Sequence, residues 1–398
     1  MLRLSPIILA LLLLTACGGK VITKTEAKQP PPPPPPPASV PAWLGNPSRN
    51  FYGTGPWSDA PLQVVWEYKT SMISGRLHKD PWGGSSWPGQ PSVDEQHVYF
   101  GSADGRLYCL NAKDGSLVWS YKTEDSLKST PTIAGDRLIA SGLDHNVYCF
   151  DIHTGALLWK YKTGFEVDCS SAVIGDRVYF GGEDYYFYCL NLADGSLIYK
   201  TERLGSMEGS FSIVENRIYV GTEQGDLFCL NLSDGKIVWK ARIGADSDST
   251  PAVYDGKVYT AAENGFVYCF RQDNGELVWK FETEHSSAMW KNGIWASPIV
   301  ANGRVHIGSS DGYLYCLSAD KGEVVWRYKA KAAIWGSSPV VDGRVVFGDK
   351  TGWIHTISAE DGKSISELKI GDNVNATPAI LNGRIYIGAF NGKLYCLK

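Results

Sequence analysis

Tyr108-Cys109-Leu110-Asn111-Ala112-Lys113-Asp114-Gly115-Ser116-Leu117-Val118-Trp119 sets the architecture, because the sequence restates it at a fixed interval. It returns as Tyr148-Cys149-Phe150-Asp151 with Gly155 and Trp159, and as Tyr188-Cys189-Leu190-Asn191 with Gly195 and Tyr199. Further copies carry Cys229, Gly235 and Trp239; Cys269, Gly275 and Trp279; and Cys316, Gly322 and Trp326. A seventh is reduced to Thr356, Gly362 and Ser366, and an eighth begins at Tyr395-Cys396-Leu397, just before Lys398. The anchors lie 40, 40, 40, 40, 47, 40 and 40 residues apart. A period in that range denotes a propeller or solenoid.

Within a repeat, four short apolar runs are separated by turn residues. In the second copy they are residues 130–134, 137–141, 146–151 and 156–161, broken at Gly135-Asp136, Leu143-Asp144-His145 and Thr154-Gly155. Runs of this length rich in Val, Ile, Tyr and Trp and bounded by Gly, Asp and Asn read as antiparallel strands, and four of them make one propeller blade. Gly115, Gly155, Gly195 and their equivalents fit tight turns that need a positive φ. The expected fold is therefore all-β, an eight-bladed propeller of four-stranded antiparallel blades. The eighth repeat stops after three strands, and an unpaired edge there would invite aggregation. Residues 62–69 carry the missing strand and Trp66 the missing terminal Trp, so blade 8 is expected to combine residues 376–398 with this N-terminal strand.

A small residue followed by Asn or Asp two on, Gly six on and Trp ten on, as in Cys109, Asn111, Gly115 and Trp119, resembles the tryptophan-docking repeat of quinoprotein-like (pyrroloquinoline quinone-like repeat) eight-bladed propellers. The likeness covers nearly everything after residue 42, including the opening Trp43-Leu44-Gly45-Asn46-Pro47-Ser48-Arg49-Asn50. Quinone-dependent members of the family are much longer chains with a vicinal Cys pair over the cofactor, and neither feature is present. Within the family, the chain is similar to lipid-anchored members that carry only the propeller and serve outer-membrane β-barrel assembly. It implies an envelope scaffold, without a cofactor, that binds a protein partner, possibly the barrel-assembly machinery.

The N-terminus agrees with export. Arg3, an apolar run from Ile7 to Leu14 and Leu14-Thr15-Ala16-Cys17 resemble a bacterial lipoprotein signal, with cleavage after residue 16 and lipidation of Cys17. The run is too short to span a bilayer. Residues 17–41 form a tether that includes eight consecutive prolines, Pro30 to Pro37, a stiff spacer of about 25 Å in polyproline II. Residues 42–398 are read as the propeller. With Gly18 after the lipidated Cys, the expected location is the periplasm-facing outer membrane, or the cell surface in an organism without one.

Net charge is −4 and no basic run is visible, which argues against nucleic acid. Apart from Cys17 and Cys169, the cysteines repeat at one position of successive blades, where partners lie beyond the roughly 7 Å that a disulfide bridges between Cα atoms. They read as small buried hydrophobes, and the mature chain is expected to hold eight free thiols. No HExxH, CxxC or nucleophile elbow appears, so no catalytic or metal residue is assigned and the chain is read as a non-enzyme.

Function is expected in the loops that lead from one blade's outer strand to the next blade's inner strand, which ring one mouth of the channel. Trp82, Trp87, Trp290, Trp295 and Trp335 fall in one sector of that ring, and Glu166, Asp168, Glu208, Asp246 and Asp248 in the opposite one. In the barrel-assembly relatives an Asp-x-Asp loop before blade 5 contacts the partner, and the resemblance implies that role for Asp246 and Asp248. The arginine that accompanies the loop there has Ser206 at its position here, with Arg203 nearby. Partner binding is therefore expected at Asp246, Asp248, Glu208 and Arg203, and at the five Trp residues. The alternatives are envelope-polysaccharide binding through the Trp sector and a pyrroloquinoline quinone-binding redox protein.

Overall fold

The computed structural model describes residues 39–71, 90–284 and 293–398. The signal segment, Cys17, the proline run, Trp82, Trp87 and Trp290 lie outside the described residues. Among the described residues, no helix is long and apolar enough to cross a membrane.

Eight four-stranded antiparallel sheets follow one another around a ring. Blade 2 is typical, with strands Thr132–Ala134, Arg137–Ser141, Asn146–Asp151 and Leu157–Lys162 running from the axis outward. Its inner strand begins two residues later than the sequence pattern suggests, because the N–H of Thr130 is given to a neighbouring blade's hydroxyl instead of the ladder. Blade 8 is closed as expected: Val64–Lys69 pairs with Lys393–Leu397, with Trp66 opposite Cys396. In every blade the outer strand slips register by one residue just before the docking position, as between Leu157 and Trp159. Such bulges twist an edge strand away from edge-to-edge pairing.

The Gly/Trp pairing of the repeat is an interlock between blades. Each docking indole lies on the turn glycine of the next blade, Trp119 on Gly155 and Trp159 on Gly195, and a Cβ built on Gly155 would lie 2.6 Å from the Trp119 ring. The indole N–H then donates to a carbonyl beyond: Trp66 to Ala112, Trp119 to Ile152, Trp159 to Leu192, Trp239 to Gln272, Trp279 to Ala319 and Trp326 to Ala359, at 3.0 to 3.2 Å. Glycine is thus required twice, for φ near +70° and for the space the indole occupies. Position 135, with φ +60° and nothing within 4 Å of a built Cβ, needs glycine for the first reason alone. Gly135→Ala is accordingly expected to cost about 1 kcal/mol and Gly155→Ala about 3 kcal/mol, read from urea midpoints. Equal costs would remove the interlock from the account.

This also explains the eroded seventh copy. Its docking position, Ser366, faces the break between chain start and chain end, where blade 8 has no turn glycine to cover, and the Ser366 hydroxyl accepts the N–H of Leu62 at 3.2 Å. Gly362 is retained because Trp326 still docks on it.

All eight described cysteines are free and buried. Seven lie on the third strands. Cys169 sits at the entrance to blade 3's inner strand, where its Sγ accepts the Gly181 N–H at 3.5 Å and burial pushes the thiol up to about 11.

The lead-in fills the channel. Ser39–Val40, within the span read as tether, pairs with Asp94 and Val93 as a fifth strand inside blade 1. The chain climbs to Trp43, turns, and descends to Trp57, bonding to all the other inner strands or their turns on the way. Pro41 accepts Ile133 N–H of blade 2, Arg49 reaches Ser170 of blade 3, Pro47 accepts Ile213 N–H of blade 4, and Trp43 donates to Thr250 of blade 5. Tyr52 then bonds Val300 of blade 6, Gly55 N–H donates to Asp342 of blade 7, and Thr54 N–H to Ile380 of blade 8. Both ends of this hairpin are at the face of the turns Gly135-Asp136 and Asp255-Gly256, opposite the inter-blade loops.

Candidate functional site: the channel mouth

A belt of hydroxyls circles the channel where the inter-blade loops enter the inner strands. Gln90, Thr130, Ser170, Thr250, Ser297 and Ser337 each donate a backbone N–H to the side-chain hydroxyl of the following blade, on Thr130, Ser170, Ser210, Ser297, Ser337 and Thr377, all at 2.9 Å. Among the described residues the link from Ser210 to Thr250 is absent, and the Thr250 hydroxyl instead accepts the Trp43 indole N–H at 3.0 Å. Gln90 closes the ring, donating its amide to Pro378 O at 2.9 Å. The same residue type at the same phase shows a position held by the scaffold.

Two residues earlier in every repeat, the side chains form the rim. Among the described residues these are, from blade 2 to blade 8, Lys128, Asp168, Glu208, Asp248, Trp295, Trp335 and Asn375, the blade 1 position, Pro88, lying outside them, and with Trp43 as floor they line a cavity of about 60 Å³. Nothing in the scaffold dictates their type, so this is the position free to carry function. Residues four blades apart face one another in an eightfold ring, which sets Glu208 across from Asn375 and Asp168 across from Trp335. The two sectors expected from the sequence thus become two walls of one small cavity. Of the expected site residues, Glu208, Asp248, Trp295 and Trp335 are brought together here. Asp246 stands one step back, its carbonyl accepting Glu263 N–H at 2.9 Å. Arg203 lies apart, stacked on Tyr185 at 3.9 Å in an open groove of about 450 Å³ with Phe165, Tyr186, Glu183 and Glu223. Trp43, Lys128 and Asn375 were not singled out as site residues, although the 40-residue phase that links Asp168, Glu208 and Asp248 also points to Lys128 and Asn375.

The acidic wall is crowded and half-buried. Burial, then the charge of Asp168, pushes Glu208 up to about 8, and burial, with Asp168 and Glu208, pushes Glu183 up to about 9. Burial followed by Glu263 raises Asp246 to about 6, and burial with Glu208 holds Asp248 well above the usual carboxylate range. Lys128 meets Asp168 at 3.1 Å. The aromatic wall is braced: the Trp295 and Trp335 rings are nearly perpendicular with centroids 3.9 Å apart, Trp295 donates to Glu263, and Trp335 donates to Ser310 at 3.0 Å with the Lys350 ammonium 3.3 Å from its centroid. Among the described residues, no three His, Cys, Asp or Glu side chains converge as a metal-ligand set.

A family profile described as the β-propeller of β-alanine-activating enzyme matches residues 134–398, two thirds of the chain. The chain belongs to that propeller family. The β-alanine-activating enzyme of Danio rerio is 50% identical over 36 residues, which are 9% of this chain and 3% of that protein, so the chain spans only a small part of its relative. Among solved structures, BamB from Moraxella catarrhalis superposes with a TM-score of 0.68 at 17% identity over 85% of this chain and 99% of that one. A europium-containing methanol dehydrogenase reaches 0.74 at 14% over 90% and 98%, and a quinohemoprotein alcohol dehydrogenase from Comamonas testosteroni 0.74 at 14% over 90% and 80%. At these identities the likeness shows the fold, the quinoprotein-like propeller, and nothing finer. The quinone cofactor that the dehydrogenases bring with them does not fit this member of the propeller family. Trp43 occupies the axis, and the cavity of about 60 Å³ is far below the roughly 300–1,000 Å³ of pockets for ligands of that size.

Proposed function

We propose that the chain is a non-catalytic, lipid-anchored envelope scaffold that binds a protein partner through its channel-mouth face, in the manner of BamB and in the same process, outer-membrane β-barrel assembly. The observation that carries this reading is the hairpin of residues 39–57. It closes the channel with the protein's own residues, so what the propeller offers is a face rather than a deep active site. Because Ser39 is at the opposite face, a tether preceding it would leave the mouth free. Rim charges govern encounter and register more than raw affinity. Asp246→Lys combined with Arg203→Glu is therefore expected to reduce co-purification of specific partners from solubilised membranes about tenfold, with the propeller still folded by circular dichroism. Recovery of the same proteins at wild-type yield would place the interface elsewhere.

The groove of Phe165, Tyr185, Tyr186 and Arg203 favours a second reading, envelope-polysaccharide binding, since Phe165 is 47% exposed beside two tyrosines. Under that reading Phe165→Ser abolishes retention on immobilised envelope glycan while leaving partner co-purification intact.

A further inference from the structure

Independently of any partner, the cavity within the mouth has features of a ligand site. The Asn375 side chain is 1% exposed and lines the cavity, yet neither its Oδ1 nor its Nδ2 has a hydrogen-bond partner. Buried amides are seldom left this way, because an unmet donor or acceptor forfeits its hydration without return. Two more unmet atoms stand on the acidic wall, Asp168 Oδ1 and Asp248 Oδ1, both buried. The cavity thus presents two unmet carboxylate oxygens and an unmet amide across from Glu208, beside the Lys128 ammonium, which pairs with the other oxygen of Asp168 at 3.1 Å, and the indoles of Trp43, Trp295 and Trp335.

The unmet atoms define the complement. An ionised carboxylate accepts only and favours a cation, and an ammonium entering here takes the place of the proton that burial keeps on Asp248. Indole faces favour an organic cation over a hydrated metal, and no metal-ligand set is present among the described residues. Asn375 asks for one acceptor and one donor, so the cation must carry an oxygen close to its ammonium. At about 15 Å³ per water-sized atom, a cavity of about 60 Å³ holds about four non-hydrogen atoms. We propose that the mouth binds a small free amino alcohol, its ammonium between Asp168, Asp248 and the Trp295 indole and its hydroxyl on Asn375.

Ethanolamine, four non-hydrogen atoms with both groups, is the probe. Calorimetric titration of the full propeller near neutral pH should show saturable one-to-one binding, with a shift of the Trp295 indole N–H resonance. Propylammonium, which lacks the oxygen, should bind about tenfold more weakly, and ethylene glycol, which lacks the charge, not measurably. Asp248→Asn should weaken ethanolamine at least tenfold, and Asn375→Ala should erase the preference for ethanolamine over propylammonium. Absence of saturation up to about 100 mM ethanolamine, or equal binding of ethylene glycol, would overturn the site. Equal binding of O-phosphorylethanolamine, whose phosphate meets the acidic wall, would overturn the assignment to a free amine rather than a lipid headgroup. Were a variant to unfold, the comparison of the four ligands on the wild-type protein still decides.

Discussion

Arg49→Met is expected to destabilise the propeller by about 4 kcal/mol or more, a loss at the upper end for single substitutions. Arg49 is 0% exposed, and its guanidinium donates to four backbone carbonyls: Nε to Phe211 at 2.9 Å, one terminal nitrogen to Trp43 at 2.7 Å, the other to Ser170 at 3.1 Å and Ser171 at 3.3 Å. It thereby ties the hairpin to blades 3 and 4. Burial lowers its pKa to about 10, so it stays charged at neutral pH, and the four carbonyls rather than a carboxylate compensate the desolvation. Methionine matches the stem but leaves those carbonyls unmet, at about 1–3 kcal/mol for each that water cannot reach. Arg49→Lys should recover part of the loss, since one ammonium cannot span the fork. Urea unfolding followed by tryptophan fluorescence measures this. A midpoint shift worth less than about 1 kcal/mol at constant slope would mean that the hairpin is a passenger in the channel.

The second large effect is on pH. Glu208, Glu183 and Asp246 hold their protons up to about 8, 9 and 6, whereas the unfolded chain releases them near 4. The folded protein therefore binds more protons than the unfolded one across roughly pH 4.5 to 9, and stability falls as pH rises through that window. The opposing groups titrate elsewhere. Asp226, between Lys240 and Arg242, and Asp349, bonded to His355, are shifted downward and already ionised there, and His306 is neutral above about 4. Glu208, Glu183 and Asp246 are half-buried and share one another's charge, so after the discount for solvent the three together are worth about 3 kcal/mol, and the melting temperature should fall by roughly 5 °C between about pH 5 and pH 9. Glu208→Gln combined with Glu183→Gln should flatten most of that decline. A melting temperature that rises across the same interval would show the acidic wall to be open to water and its carboxylates ionised.

The ring was legible because its grammar is local. Cys, Gly and Trp recur at one phase, and the docking of Trp119 on Gly155 requires that phase. The closure by Val64–Lys69 followed from a missing strand and a spare Trp66. The hairpin was not legible, since residues 39–57 have no period and almost every bond they make reaches an inner strand far away in sequence, as Arg49 does to Phe211. Its trace was an Arg, two Trp and a Tyr in a Gly- and Pro-rich lead-in with no place in the repeat. The mouth was half legible. Asp248 and Glu208 stood out as acids and Trp295 and Trp335 as surplus aromatics, but their meeting around one cavity depends on their being a single repeat position, two residues before the hydroxyls of Ser170, Ser210, Thr250, Ser297 and Ser337. Asn375 is the least conspicuous of that set in sequence and the one whose isolation the fold makes costly.

The reading as a scaffold rests on one face being the binding face, and a paired photocrosslinking experiment in the native membrane tests it. Phe165, 47% exposed, lies on the inter-blade loops of the mouth face, and Tyr254, 39% exposed, lies at the turn of the opposite face. Each would be replaced, one at a time, by p-benzoylphenylalanine, which is an aromatic exchange at an already exposed position in either case. On illumination, the chain labelled at Phe165 should give a discrete covalent adduct with an envelope protein, lost in the Asp246→Lys, Arg203→Glu background, and the chain labelled at Tyr254 should give none. An adduct from Tyr254 with Phe165 silent would contradict the account.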